Sequence, residues 1–140
     1  MDSTRFPSPS EAALAYVNTY NSHDPEALRS LYDPGFLVEN PLWEGTKDVD
    51  ETVATIQMVW DTLPGARFEA INLIVQGDTV SLELNFCWDE PTEGGSTVRR
   101  LPVNDVFWIK DGKLAGLRAY LDRGTFVSWL QQMGSDYGTG

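Results

Sequence analysis

Asp105 is the one ionisable residue in the run 103–109, Val-Asn-Asp-Val-Phe-Trp-Ile. β-Branched and aromatic residues ending at an Asp111-Gly112 turn signal read as a strand. Alternation along that strand puts Asp105 on the face shared by Val103 and Phe107. Burial strips a carboxyl group of hydration, raising its pKa and favouring the neutral acid. A neutral, buried carboxylic acid is a strong hydrogen-bond donor that can be aimed at a developing oxyanion. The plainer alternative is a solvated face, or a carboxyl satisfied by a backbone amide.

The elements that must position this group are legible from periodicity. Ser8-Pro9-Ser10-Glu11 is a capping box with proline at the first helical position. It opens a helix whose apolar stripe is Ala13, Tyr16, Val17 and Tyr20, at i, i+3, i+4 and i+7. Asp24-Pro25 caps a short helix carrying Leu28, Leu31 and Tyr32, stopped by Asp33-Pro34-Gly35. A short strand over 36–40 ends at Pro41. Asp48 with Glu51 caps a third helix, with Val49, Val53, Ile56 and Trp60 as its stripe, closed by Leu63-Pro64-Gly65.

From Arg67 the period changes from 3.6 to 2. Strands are expected over 67–75, 79–89, 97–110 and 113–122, joined by turns that imply antiparallel pairing. A last short helix over 125–132 packs Phe126, Trp129 and Leu130. Three helices before a long curved meander make an α+β fold with the helices on one face of the sheet. One domain over 1–140 is expected, ordered from about 9 to 132, with 1–8 and 134–140 as loose ends.

The strand faces outline an apolar pocket. Leu82, Leu84, Phe86 and Trp88 share one side, as do Leu117, Ala119 and Leu121; Val38, Val53, Val103 and Phe107 complete the wall. Within it Tyr16, Asn40, Asp105 and Tyr20 carry the polar atoms. A mostly apolar pocket with a few convergent polar groups is the usual form of a small-molecule site, although each apolar residue alone reads equally as core.

Composition narrows the partners. A net charge of −11 over 140 residues argues against phosphate-backbone binding and against an anionic membrane surface. No stretch approaches the roughly 20 apolar residues of a membrane span, and Met1-Asp2-Ser3-Thr4-Arg5 lacks a signal-peptide pattern. One cysteine, Cys87, and one histidine, His23, argue against an internal disulfide and a Cys/His metal site, and fit a cytoplasmic protein. No cofactor, nucleic acid or membrane partner is expected. Gly94-Gly95 has no phosphate-loop context. His23 reads as a turn residue, and Arg99-Arg100 as a solvated strand end.

The order of elements, with 16–41 and 104–122, resembles the NTF2-like superfamily of cone-shaped, SnoaL-like and ketosteroid isomerase-like proteins. Within it the sequence is most similar to bacterial ketosteroid isomerases. The likeness lies in Asn21-Ser22-His23-Asp24-Pro25-Glu26-Ala27-Leu28, Leu31-Tyr32, Val38-Glu39-Asn40-Pro41, Asp105-Val106 and Ala119-Tyr120. The resemblance implies that Tyr16 and Asp105 are oxyanion-hole donors; a neutral aspartic acid in that role is a known worked case. It places Asn40 where that family has its general-base aspartate. An amide cannot remove a proton from carbon at neutral pH, so the ordinary isomerase mechanism lacks its base.

Other branches are less similar. Limonene epoxide hydrolases use an Asp–Arg–Asp set, and the matching positions here are Ala119, Leu84 and Phe86. The acid–base aspartate of polyketide cyclases corresponds to Asp122, which alternates away from Leu121. The sequence therefore reads as a cofactor-independent enzyme for a hydrophobic polycyclic or polyketide-like carbonyl compound. Isomerisation, cyclisation and dehydration all remain open. The alternatives are a non-catalytic binding or assembly module of the same fold, or a cyclase or epoxide hydrolase with a different acid–base set. A homodimer is expected through the outer sheet face carrying Glu83, Asn85, Arg118 and Tyr120.

Overall fold

The computed structural model describes residues 7–137; the expectations made for 1–6 and 138–140 lie outside them. Helix α1 (Pro9–Ser22) starts where Ser8 accepts a hydrogen bond from the Glu11 amide, and buries Ala13, Tyr16, Val17 and Tyr20. Helix α2 (Pro25–Arg29) is capped by Asp24, which takes the amides of Glu26 and Ala27. Its expected extent was too long. Tyr32 opens strand β1 (Tyr32–Glu39) instead of closing the helix, and that strand starts four residues before the expected 36.

Asp33-Pro34-Gly35 makes a bulge and not a break. Tyr32 pairs with Leu114 and Leu37 with Gly116, so the extra β1 residues loop out. Proline has no amide to give a ladder, and the Asp33 carboxylate takes the Gly35 amide at 2.9 Å. A two-residue strand β2 (Thr46–Lys47), unseen in the sequence pattern, pairs with the end of β1. Helix α3 (Val49–Thr62) carries the full Asp48/Glu51 capping box.

The meander follows as β3 (Arg67–Gln76), β4 (Thr79–Thr92), β5 (Gly95–Lys110) and β6 (Lys113–Tyr120), then α4 (Arg123–Gln132). β4 and β5 are longer than expected because their ladder runs to Thr92↔Gly95. β6 stops at Tyr120 and not at 122, because Asp122 is the N-cap of α4. One mixed six-stranded sheet results, in the order β2-β1-β6-β5-β4-β3. Only β1–β6 pairs parallel; the other ladders are antiparallel. The architecture is the α+β layout expected, a curved sheet with helices on its inner face.

α1 lies against β3 and β4, and α3 against β1 and α2. The chain after α4 is held as far as Tyr137, against the expectation of a loose end from 134. The Tyr137 hydroxyl donates to the Leu42 carbonyl at 2.5 Å and its ring packs on the core. Among the described residues no helix is long and apolar enough to cross a membrane.

Candidate active site

Between the sheet and helices α1, α3 and α4 lies a cavity with about 90 Å³ of free space. A single water needs roughly 10–15 Å³, so this is more than a packing defect. Aromatic and aliphatic side chains dominate its wall, and its polar members are Tyr16, Tyr20, Tyr32, Asn40, Trp43, Thr52, Thr55 and Asp105.

Asp105 comes from the middle of β5, paired with Leu82 on one side and Ala119 on the other. It is 4 % exposed, and burial pushes its carboxyl up to about 7. At neutral pH both protonation states are therefore populated. Asp105 is also the one carboxylic acid among the described residues of the wall.

Three phenols surround it. Tyr16, from α1, is buried edge-on against Phe107 with ring centroids 5.2 Å apart. Burial, then the nearby Tyr32 and Asp105, holds its pKa well above the ordinary tyrosine value. Tyr20, one turn further along α1, stacks on Phe68 at 3.7 Å. Tyr32 enters from the start of β1, and its buried hydroxyl stands close enough to that of Tyr16 for the two to interact, without reaching good hydrogen-bond geometry. Burial raises Tyr20 and Tyr32 as well, so all three stay protonated and have a proton to donate.

Asn40 sits just past β1. Glu39 pairs with Arg118, so Asn40 comes level with Ala119 and hence with Asp105, two strands away. Strand spacing makes that backbone separation about 10 Å. The Asn40 side-chain carbonyl accepts the Leu42 amide at 2.9 Å and its main-chain carbonyl accepts the Trp43 amide at 3.2 Å. These bonds fold 40–43 into a turn and leave the amide nitrogen of Asn40 as its free group.

Of the twelve apolar and aromatic wall residues expected, Tyr20, Val38, Phe86, Val103, Leu117, Ala119 and Leu121 line the cavity. Val53, Leu82, Leu84, Trp88 and Phe107 do not; each is at most 2 % exposed and fills the core. Leu82 and Leu84 come from β4, one of the strands on which α1 packs, and are enclosed in the core. Trp88 packs against Trp129 of α4, and Phe107 supports Tyr16. Asp122 is exposed at the α4 cap, where hydrogen bonds from Thr125 and Gly124 hold its pKa down. His23 donates its Nε2–H to the Ala66 carbonyl at 2.6 Å and stacks on Trp60, outside the cavity.

The sequence reading missed Tyr32, Leu42 and Trp43, and on α3 Thr52, Thr55 and Val59. Those three have helical spacing, one position behind Val53, Ile56 and Trp60 of the expected stripe, of which Ile56 also reaches the wall. Tyr32 was hidden by the turn signal behind it.

No functionally curated protein matches the sequence. Solved structures match the fold. IdmH, a candidate polyketide cyclase from Streptomyces antibioticus, is 18% identical, with 88% of this chain and 98% of that one covered at a TM-score of 0.74. A candidate SnoaL-like polyketide cyclase from Shewanella denitrificans is 17% identical, covering 89% and 97% at 0.70. An NTF2-like protein of unknown function from Cytophaga hutchinsonii is 12% identical, covering 90% and 99% at 0.69. Such identities speak to the NTF2-like fold alone. The SnoaL-like domain family itself matches residues 13–117, three quarters of the sequence, and the chain belongs to that family.

Proposed function

We propose that this protein is a cofactor-independent enzyme that moves a proton on a hydrophobic, polyketide-like or polycyclic carbonyl compound. The observation carrying this reading is Asp105, a buried carboxyl poised near neutrality among three protonated tyrosines. Tyr16 and Tyr32 donate to the substrate's carbonyl oxygen. The Asp105 carboxylate takes a proton from the carbon beside it, and the electron pair moves onto oxygen as an enolate held by the phenols. The same carboxylic acid then returns the proton to another carbon, giving isomerisation. If the enolate instead attacks a second carbonyl, the outcome is cyclisation, with Asp105 protonating the new alkoxide. In its neutral form Asp105 adds a donor to the oxyanion site, the role its likeness to the ketosteroid isomerases implies.

Membership of the SnoaL-like family, and fold neighbours described as candidate polyketide cyclases, support this reading. A second reading, a binding module without catalysis, is favoured by one observation: Asn40 holds an amide where a base would serve. Exchange of the α-protons of 2-tetralone in D2O, followed by NMR, separates the two. The enzyme reading expects exchange above the buffer rate, rising with pH to a plateau just above 7 and lost in Asp105→Asn. Exchange at the buffer rate, with 2-tetralone bound, overturns it.

A further inference from the structure

We propose that Asn40 receives a second oxygen of the substrate, so that the preferred ligand is an apolar skeleton with an acceptor oxygen at each end. This rests on the reading above, which places the reacting oxygen at the tyrosine–Asp105 end. The side-chain carbonyl of Asn40 is already taken by the Leu42 amide, and Asn40 stands on the cavity wall, so what its side chain has left for a ligand is its N–H groups. Asn40 follows the Glu39↔Arg118 pair just past the end of β1, which brings it level with Ala119 and, at two strand spacings, about 10 Å from Asp105 at the backbone. A ligand touching both must span the apolar floor of Ala119, Leu117 and Val103.

The neighbours of Asn40 share its polarity. Trp43 is part of the same turn, and its indole N–H is buried with no partner. Thr52, on α3 and on the wall of the same cavity, also has a buried hydroxyl with no partner. Lys47 places its ammonium over the Trp43 ring at 4.5 Å and donates to the Thr55 hydroxyl at 2.7 Å. That hydroxyl in turn donates to the Glu51 carbonyl. No carboxylate among the described wall residues stands at this end. An environment of free N–H groups beside a cation selects an acceptor, such as a ketone or ester carbonyl, and disfavours an amine or a further donor. Buried donors left unpaired are costly, so a ligand that pairs them is distinguished from one of the same shape that does not.

Two shape-matched probes test this: 6-acetyl-2-naphthol, with a carbonyl at the far end, and 6-isopropyl-2-naphthol, which has the same outline and no acceptor. Their affinities are measured by fluorescence on the native protein, on Asn40→Asp and Asn40→Ala, and on Tyr16→Phe and Asp105→Asn. Asn40→Asp retains the acceptor for the Leu42 amide and so preserves the turn. The expected result is that the acetyl-to-isopropyl affinity ratio falls roughly threefold to tenfold in both Asn40 variants, the scale of one hydrogen bond. Tyr16→Phe and Asp105→Asn should weaken both probes alike. A ratio unchanged at Asn40, while Tyr16→Phe and Asp105→Asn weaken both probes, overturns the second-oxygen site and leaves the proposed function standing. Probes that do not bind, or that ignore Tyr16 and Asp105, overturn both.

Discussion

Asp105 and Ala119 face each other across the β5–β6 ladder, and the small side chain of Ala119 leaves open the space beside the Asp105 carboxyl. Ala119→Leu should fill that space. Forcing extra methylenes into a packed wall costs roughly 1–3 kcal/mol, so the variant should still fold. Naphthol binding followed by fluorescence should be lost; binding at native strength would show that the cavity does not open beside Ala119.

Asp105 should also make stability depend on pH. Its carboxyl rises from 3.8 to about 7 on folding, so the native state holds the proton more tightly. Stability from this group is complete below about 3.8 and declines as pH rises to about 7, beyond which it is flat. Each tenfold in proton affinity is worth about 1.4 kcal/mol, so Asp105→Asn should gain up to about 4 kcal/mol over the native protein at pH 8. At pH 4 that advantage should have largely gone. Urea unfolding at the two pH values measures this, and an equal difference at both would mean that Asp105 ionises normally.

Tyr32→Phe removes a buried hydroxyl that makes no well-formed hydrogen bond, its one polar neighbour being the Tyr16 hydroxyl. Stability should be unchanged or rise by about 1 kcal/mol, since an unpaired buried donor is a cost. Affinity for 2-naphthol should nevertheless fall, because the hydroxyl serves the ligand. Thermal unfolding and titration on the same sample check both halves; unchanged affinity would confine Tyr32 to packing.

The outer sheet face should join two copies of the chain. The register brings Glu83, Asn104 and Tyr120 into one row, and Ser81, Val106, Arg118 and Glu39 into the next. Its ions are already paired within the chain, Arg118 with Glu39 and Arg100 with Glu69, while Ile71, Ile74, Leu37, Trp108 and Tyr120 are exposed. Light scattering should give twice the chain mass of 15.6 kDa, reverting to the single mass in Val106→Glu. A native protein that scatters as one chain would refute the dimer.

The sequence by itself determined the starts of α1, α2 and α3, the tight turns at 77–78 and 111–112 and the inward face of β4, β5 and β6, because caps, turn residues and period-two alternation act over a few residues; α4 starts at Arg123, two residues before the expected 125, because Asp122 caps it. Ser8, Asp24 and Asp48 cap the helices they were expected to cap, and Asp105 lies on the inner face with Val103 and Phe107. Tertiary structure alone decided which inner residues meet empty space. Leu82 and Leu84 alternate as Phe86 does, yet Phe86 reaches the cavity wall and the first two are spent in the core. Strand pattern cannot register the position of a helix packed from a distant part of the chain. The same holds for Tyr32, whose place on the cavity wall depends on a bulge in a parallel β1–β6 pairing. Asn40 shows the limit most directly: its type was evident in the sequence, but the Leu42 amide decides which end of its side chain is free.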